Sequence, residues 1–270
     1  MGSQKPPKHS GPLGMGSMQT TWSGMKIAVV IPCYNEHDRL DLLLVDRLLQ
    51  GLKNIEPETT VLFVDDGSTD QTAAMLQGLS HSNAQISFLQ LPKNVGKAEA
   101  VREGLNRSIA DGSEIVGYCD ADFATPPEEI LRLISYAKDH REYQAIIGSR
   151  VALAGYAIKR SHSRHYVGRL FATLSGAILG IGIYDTQCGA KWFRVSDALR
   201  KTLREPFVSR WGFDVEIFGR LLRSGVTIEQ LREVPLDAWA DVDGSKVTIT
   251  SGLLTFLELA KIRRYLRRWS

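Results

Sequence analysis

Met25–Glu36, MKIAVVIPCYNE, is the stretch that decides the fold. Its apolar run from Met25 to Pro32 is rich in β-branched residues and stops at a proline, as a strand buried on both faces does. Outward from it, two periodicities alternate. Leu40–Leu52 repeats apolar residues at helical spacing, Thr60–Asp66 (TVLFVDD) reads as a strand, Gln71–Leu79 as a helix and Ile86–Leu91 as a strand. Val95–Ile109 reads as a helix and Glu114–Cys119 as a strand running into acidic residues. Pro126 and Pro127 sit where a helix start tolerates them, and Gln144–Gly148 is a fifth strand. This β-α-β-α rhythm with short links predicts an α/β fold: a mostly parallel twisted sheet with helices on both faces.

The second half is less regular. Arg164–Ile181 reads as a helix, the segment from Asp185 through Gly189 as a loop, Phe213–Arg223 as a helix and Val226–Val234 as a strand. At 270 residues and 43% hydrophobic, the chain suits one sizeable domain. Residues 1–17, polar and rich in Pro and Gly with a second Met-Gly-Ser, read as an expression tag. The domain is expected over 18–250, followed by a basic amphipathic helix over 251–270. There Leu259, Ile262, Leu266 and Trp269 recur at helical spacing, with Lys261, Arg263, Arg264, Arg267 and Arg268 around them. Such a helix can lie on an anionic membrane surface or pack on its own domain.

The net charge of +3 is mild, and its one concentration is C-terminal, so no nucleic-acid partner is expected. Cys33, Cys119 and Cys188 lie far apart, without the spacing of a zinc site or a disulfide framework. A cytoplasmic setting, or the cytoplasmic face of a membrane, is the expectation. No run reaches the roughly 18 apolar residues a membrane span needs. Leu170–Ile183 comes nearest, and it reads as a buried or interfacial helix.

In open parallel sheets ligands bind beyond the carboxyl ends of the strands. Asn35 and Glu36, Asp65 and Asp66, Asp120 and Asp122, and Arg150 all fall there. Asp120-Ala121-Asp122 can share a divalent cation that also grips phosphate oxygens, or it can simply be an acidic turn. Asp65 and Asp66 can accept hydrogen bonds from a base or ribose, while Ser68 or Asp70 caps the next helix. Pro32, Tyr34 and Glu36 offer an apolar face and a carboxylate suited to a nucleoside. Asn94-Val-Gly-Lys97 lacks the earlier glycine and the Ser/Thr of a P-loop, and no GxGxxG follows the first strand. Arg150, Arg160, Arg164, Lys191, Arg194 and Lys246 follow the acidic residues, and two or three such cations suffice for a phosphate site.

Together these residues resemble the family 2 glycosyltransferases, which have the GT-A nucleotide-diphospho-sugar transferase fold. The matching segments are VVIPCYNE (Val29–Glu36), VDDGSTD (Val64–Asp70), NVGKAEAVREGL (Asn94–Leu105) and DADFATPPEEI (Asp120–Ile130). GSR (Gly148–Arg150), DTQCGAKWF (Asp185–Phe193), RWGFDVEI (Arg210–Ile217) and EVPLDAWADVDGSKV (Glu233–Val247) resemble the dolichyl-phosphate glucosyltransferase and mannosyltransferase branch. Ala124 stands where mannosyl-transferring relatives often carry Gln, which is closer to the glucosyl branch. The resemblance implies that Tyr34, Glu36, Asp65 and Asp66 bind the nucleoside, with Pro32, Gly96, Lys97, Ala121 and Lys246 completing the donor site. Asp120 and Asp122 would hold Mg2+ or Mn2+ on the diphosphate, and Arg150 would hold phosphates or acceptor. Asp214 would sit where inverting relatives have their general base, with Asp185, Arg164 and Lys191 serving the acceptor side.

The expected reaction is inverting transfer of a hexose from a UDP- or GDP-sugar to a polyprenyl or dolichyl monophosphate. The alternative acceptor is a hydroxyl of a soluble small molecule or glycan. A nucleotide-sugar-binding protein without turnover is a third reading, disfavoured by the presence of both the paired carboxylates and the base candidate.

Overall fold

The computed structural model describes residues 24–151, 157–159, 171, 173–180, 182–240 and 249–269. The first half alternates β1 (Ile27–Cys33), α1 (Leu42–Ile55), β2 (Thr60–Asp65), α2 (Thr72–Ser82), β3 (Ile86–Gln90), α3 (Lys97–Ala110), β4 (Ile115–Cys119), α4 (Pro127–Asp139) and β5 (Ala145–Ser149). There follow β6 (Ala157–Lys159), β7 (Ala190–Arg194), α5 (Asp197–Arg204), α6 (Phe213–Arg223), β8 (Leu231–Pro235), β9 (Ala238–Ala240) and α7 (Ile249–Leu266). Among the described residues, seven strands form one sheet in the order β3-β2-β1-β4-β7-β5-β8, and β6 pairs with β9.

β1 shows why the sheet is buried on both sides. Ile27, Val29 and Ile31 join the core beneath α1 and α4, whereas Ala28 and Val30 join the core beneath α3 and α6. Period-two alternation thus feeds two apolar layers, each fully buried large side chain contributing about 1.5–3 kcal/mol. On one layer, α1 buries Val45, Leu48, Leu49 and Leu52, and its start is fixed by Asp41, which accepts N–H bonds from Leu43 and Leu44. On the other, α3 buries Val101, Leu105 and Ile109.

The first-half elements lie where the apolar pattern predicts, with ends shifted by one to three residues. Three corrections fall in the second half. β7, with no counterpart in the sequence reading, inserts antiparallel between β4 and β5, pairing Tyr118 with Lys191 and Ile146 with Trp192. The strand expected at Val226–Val234 begins only at Leu231, because Ile228–Gln230 forms a 3-10 turn closed by a Thr227/Gln230 capping box. α5 is also new, started by the Ser196 hydroxyl accepting from the Leu199 N–H. Of the helix expected at Arg164–Ile181, residues 173–179 are helical, and residues 160–170 lie outside the described residues.

The C-terminal helix forms, and the apolar side of its last turns packs on the domain. Leu259, Ile262 and Leu266 are buried against Phe171 and Val215, and Lys261 donates to the Val208 carbonyl at 2.6 Å. Trp269 lies over the Arg220 guanidinium at 4.7 Å. Arg263, Arg264, Arg267 and Arg268 are exposed. An anionic surface would therefore meet charge on the last turns of this helix. Among the described residues no helix is long and apolar enough to cross a membrane.

The close approach of β4 and β7 depends on Gly117. A Cβ there would stand 2.5 Å from the Lys191 carbonyl oxygen and 2.6 Å from the Trp192 ring. Backbone and a buried indole cannot both yield, so Gly117→Ala should lower the unfolding free energy by about 1–3 kcal/mol. Urea denaturation reads this directly, and an unchanged midpoint would contradict the packing described.

Candidate active site

The carboxyl ends of β1, β2 and β4 bring the expected residues together at one edge. After β1 the chain turns through Asn35, a non-glycine residue with φ of 50°. That conformation is held by three bonds to the β2–α2 turn. The Asn35 N–H donates to Ser68 Oγ at 2.9 Å, Asn35 Oδ1 accepts from the Thr69 N–H at 2.9 Å, and the Glu36 N–H donates to Thr72 Oγ1 at 2.8 Å. Glu36 in turn pairs with Arg39 at 3.1 Å. Between these turns opens a cleft of about 620 Å³ whose walls include Tyr34, Gly67, Ser68, Thr69, Lys93 and Asn94. Its one aromatic face and ring of polar groups suit a nucleoside.

The two carboxylates after β2 divide their work. Asp65, fully buried, accepts from the Ser68 N–H at 3.2 Å and so shapes the turn beneath the cleft. Asp66 accepts from Val95 and Gly96 N–H groups at 2.7 and 2.9 Å, which commits both its oxygens to the loop that opens α3. Burial pushes its carboxyl above the usual range, against those two bonds and the nearby Arg210 charge. This geometry gives Asp66 a positioning role: it fixes Gly96, the N-cap of α3 with φ of 96°, and with it Lys97.

Lys97 reaches across to Asp120, with Nζ 2.5 Å from Oδ1. Burial opposes its charge, but Asp120, Asp214 and Asp122 outweigh burial and hold its ammonium above the usual lysine range. Asp122 is raised by burial and then by the neighbouring charge of Asp120. Its Oδ1 accepts from the Ala124 N–H at 3.1 Å. Two carboxylates crowded this way need positive charge, which Lys97 supplies here. Among the described residues no three His, Cys, Asp or Glu side chains gather as a ligand set. A pair of carboxylates is nonetheless the usual protein share of a Mg2+ or Mn2+ site, so the residues fit such an ion. Gly189 lets β7 approach, since a Cβ there would collide with the Asp120 carboxylate.

Behind Asp120 lies a buried cluster. The Tyr118 hydroxyl donates to Asp214 Oδ1, Lys191 Nζ sits 2.6 Å from the same oxygen, and Lys191 also donates to the Cys188 carbonyl. Burial and the Asp214 charge push the Tyr118 phenol well above its ordinary value. Gln187 Nε2 approaches Asp214 Oδ2 at 3.4 Å. Lys191, expected as a surface cation for phosphate, is fully buried and neutralises Asp214 instead. Arg150 departs from expectation in the same way. Its guanidinium forks onto Asp185 at 2.7 and 2.8 Å, its N–H adds a third bond at 3.0 Å, and it stacks over Trp239 at 5.1 Å. Glu233 accepts from the Tyr184 and Asp185 N–H groups at 2.8 Å each, holding that loop on β8.

Pro32 is the last residue but one of β1, and Ala121, buried between the paired carboxylates, lies in the turn after β4. Arg160, Arg164 and Lys246 lie outside the described residues. Sequence reasoning gave no role to Tyr118, which reads as an apolar strand residue, nor to Gln187. It also passed over Arg210, whose guanidinium reaches Asn94 Oδ1 at 3.4 Å beside the cleft. Gln187 and Arg210 fall in the segments DTQCG and RWGFD, which carry the resemblance, whereas Tyr118 gives no polar signal. Removing one partner of a buried ion pair strands the other, so Asp185→Ala should cost about 3–5 kcal/mol of stability through Arg150. Chemical denaturation tests this, and a loss below that of an ordinary surface substitution would contradict the pairing.

The sequence profile described as Glycosyl transferase family 2 matches residues 28–200. A dolichyl-phosphate beta-glucosyltransferase of Trichomonas vaginalis is 32% identical over 247 residues, covering 88% of this chain and 71% of that protein. The Homo sapiens dolichyl-phosphate beta-glucosyltransferase is 33% identical over 237 residues, covering 82% and 69%. Among solved structures, glucosyl-3-phosphoglycerate synthase from Mycobacterium tuberculosis with Mn2+ and UDP-glucose superposes with a TM-score of 0.65 at 18% identity, covering 94% of this chain and 84% of that one. Mannosyl-3-phosphoglycerate synthase from Rubrobacter xylanophilus gives 0.66 at 16% identity, covering 90% and 75%. The structural likenesses carry the GT-A fold, and the sequence relatives carry the family. The chain belongs to the family 2 glycosyltransferases and is a nucleotide-sugar-dependent enzyme of GT-A fold.

Proposed function

We propose that the enzyme transfers a hexose, with inversion, from a UDP- or GDP-sugar to a hydroxyl of a soluble acceptor. The observation that carries the donor half is the Asp120/Asp122 pair, charge-balanced by Lys97, at the strand edge that also bears the Tyr34 cleft. The nucleoside occupies the cleft, Tyr34 supplying its apolar wall and the Ser68 and Thr69 turn its polar one. Asp120 and Asp122 are the residues that would hold Mg2+ or Mn2+, an ion that when bound neutralises charge building on the departing diphosphate. Lys97, drawn toward phosphate oxygens, adds positive charge at the same place.

The acceptor half turns on which charges are available. A phosphate acceptor needs cations more than a base, since its second pKa lies near 6. Arg150 and Lys191, two cations expected to serve it, are committed to Asp185 and Asp214. A hydroxyl needs a base instead. Asp214 Oδ2, approached by Gln187 at 3.4 Å, is the carboxylate oxygen proposed to take that proton. The GT-A fold houses this class: solved enzymes that share it include ones named for phosphoglycerate. A second reading, transfer to a polyprenyl monophosphate, is favoured by the sequence relatives, which are named for dolichyl phosphate.

UDP release from UDP-glucose separates the two readings. With Mn2+ present, a soluble phosphorylated hydroxy acid such as 3-phosphoglycerate should stimulate release more than undecaprenyl phosphate in detergent. Asp214→Asn should lower kcat by about 10²–10⁴ while UDP still binds. If undecaprenyl phosphate is preferred and Asp214→Asn still transfers to it, the lipid-phosphate reading replaces the hydroxyl one. Independently, Asp122→Asn and EDTA should each abolish transfer without unfolding the chain. Full turnover by either would remove the metal role.

A further inference from the structure

Four donors converge on one carboxylate of α7. Glu258 accepts from Ser209 Oγ at 2.6 Å and from the successive N–H groups of Arg210, Trp211 and Gly212 at 3.2, 3.0 and 3.2 Å. Ser209 Oγ also accepts from the Gly212 N–H at 2.7 Å, which ties the two ends of the turn together. Gly212 is the N-cap of α6 and has no side chain with which to satisfy the first amides of that helix. Glu258, 46 residues from Gly212, accepts the N–H of that N-cap and of the two residues before it, and brings the negative charge that a helix N-terminus attracts. α7 is itself anchored by Leu259 and Ile262, and by Lys261, whose ammonium grips the Val208 carbonyl.

The clamped turn touches both halves of the proposed site. Arg210 projects from it to Asn94, a wall of the nucleoside cleft, and lies against Gly96 at the start of α3. Two residues beyond the clamp, Asp214 enters the buried cluster with Tyr118 and Lys191. Rotation of the 209–212 turn would move the arginine and the carboxylate together. Nothing in β4, β7 or the cleft contacts Glu258 in the bonds described, so its effect on chemistry has to pass through that turn.

We propose that Glu258 is a positioning residue for transfer, holding the 209–212 turn so that Arg210 faces the donor cleft and Asp214 keeps its place beside Tyr118 and Lys191. This inference rests on the transferase reading and adds to it a residue outside the sheet and its loops. Glu258→Gln is the first test, because it keeps the shape, removes the charge and turns an amide N–H2 toward N–H donors. Its kcat for UDP release should fall about tenfold or more, and its affinity for UDP with Mn2+, by calorimetry, should weaken, in a protein whose melting point stays above the assay temperature. Glu258→Ala opens a space for a small carboxylate. Acetate, but not chloride at equal ionic strength, should restore part of its turnover.

A folded Glu258→Gln enzyme with wild-type kcat and UDP affinity would overturn the role. So would a loss accounted for by the unfolded fraction alone, with no acetate response in Glu258→Ala. Wild-type protein that neither binds nor releases UDP or GDP would fail at an earlier point, removing the donor reading and this role with it.

Discussion

A fully buried ammonium survives in a folded protein only when it is paired, because an isolated charge in the interior costs several kcal/mol. Lys191 is that ammonium, and Asp214 is its partner at 2.6 Å. The pair joins β7, antiparallel to its neighbours in the central sheet, to the first turn of α6, with Tyr118 on β4 donating to the same oxygen. Three elements distant in sequence are thereby fixed at one point, two residues along β4 from Asp120. Much of the site's geometry is anchored there. β7 lies close enough to crowd Asp120 through Gly189, and α6 is held at the angle at which its leading turn meets Glu258 and the cleft loop.

Forward of that point, the strand edge balances charge on a smaller scale. Asp120 and Asp122 repel one another, and burial raises the cost of ionising Asp122. Lys97 stands against them because α3 begins at Gly96, and α3 begins there because both oxygens of Asp66 hold that loop. A carboxylate just beyond β2 thus decides where a cation points. The same logic runs on the acceptor side, where Arg150, stacked on Trp239 and forked onto Asp185, braces the loop before β7 rather than offering its charge to solvent.

These pairings explain which parts of the molecule can be read from sequence. The alternation of β1 through β5 with its helices is legible because each strand carries its own two-sided apolar pattern. The clustering of Tyr34, Asp65, Asp120 and Asp122 follows from where parallel strands end. β7 is not legible: Ala190–Arg194 carries a lysine at its second position, and Asp214, far along the chain, makes that lysine an interior residue. Arg150 and Asp185 are likewise 35 residues apart, so each alone looks like a surface charge. The amphipathic pattern of α7 is compatible with a bilayer or with a protein core, and only the fold shows Val215 and Phe171 packed on Leu259, Ile262 and Leu266. Local periodicity sets the elements, and long-range charge pairing sets what the polar residues do.

The central claim is that the edge built on Asp120 and Asp122 is where nucleotide diphosphate and divalent cation meet. A crystal structure of the chain soaked with UDP and Mn2+, with data collected at the manganese absorption edge, tests it most directly. The account predicts an anomalous peak between the Asp120 and Asp122 carboxylates, uracil in the cleft beside Tyr34, and Lys97 moved off Asp120 toward the phosphates. A manganese peak elsewhere, or UDP bound away from that cleft while Lys97 stays on Asp120, would contradict it.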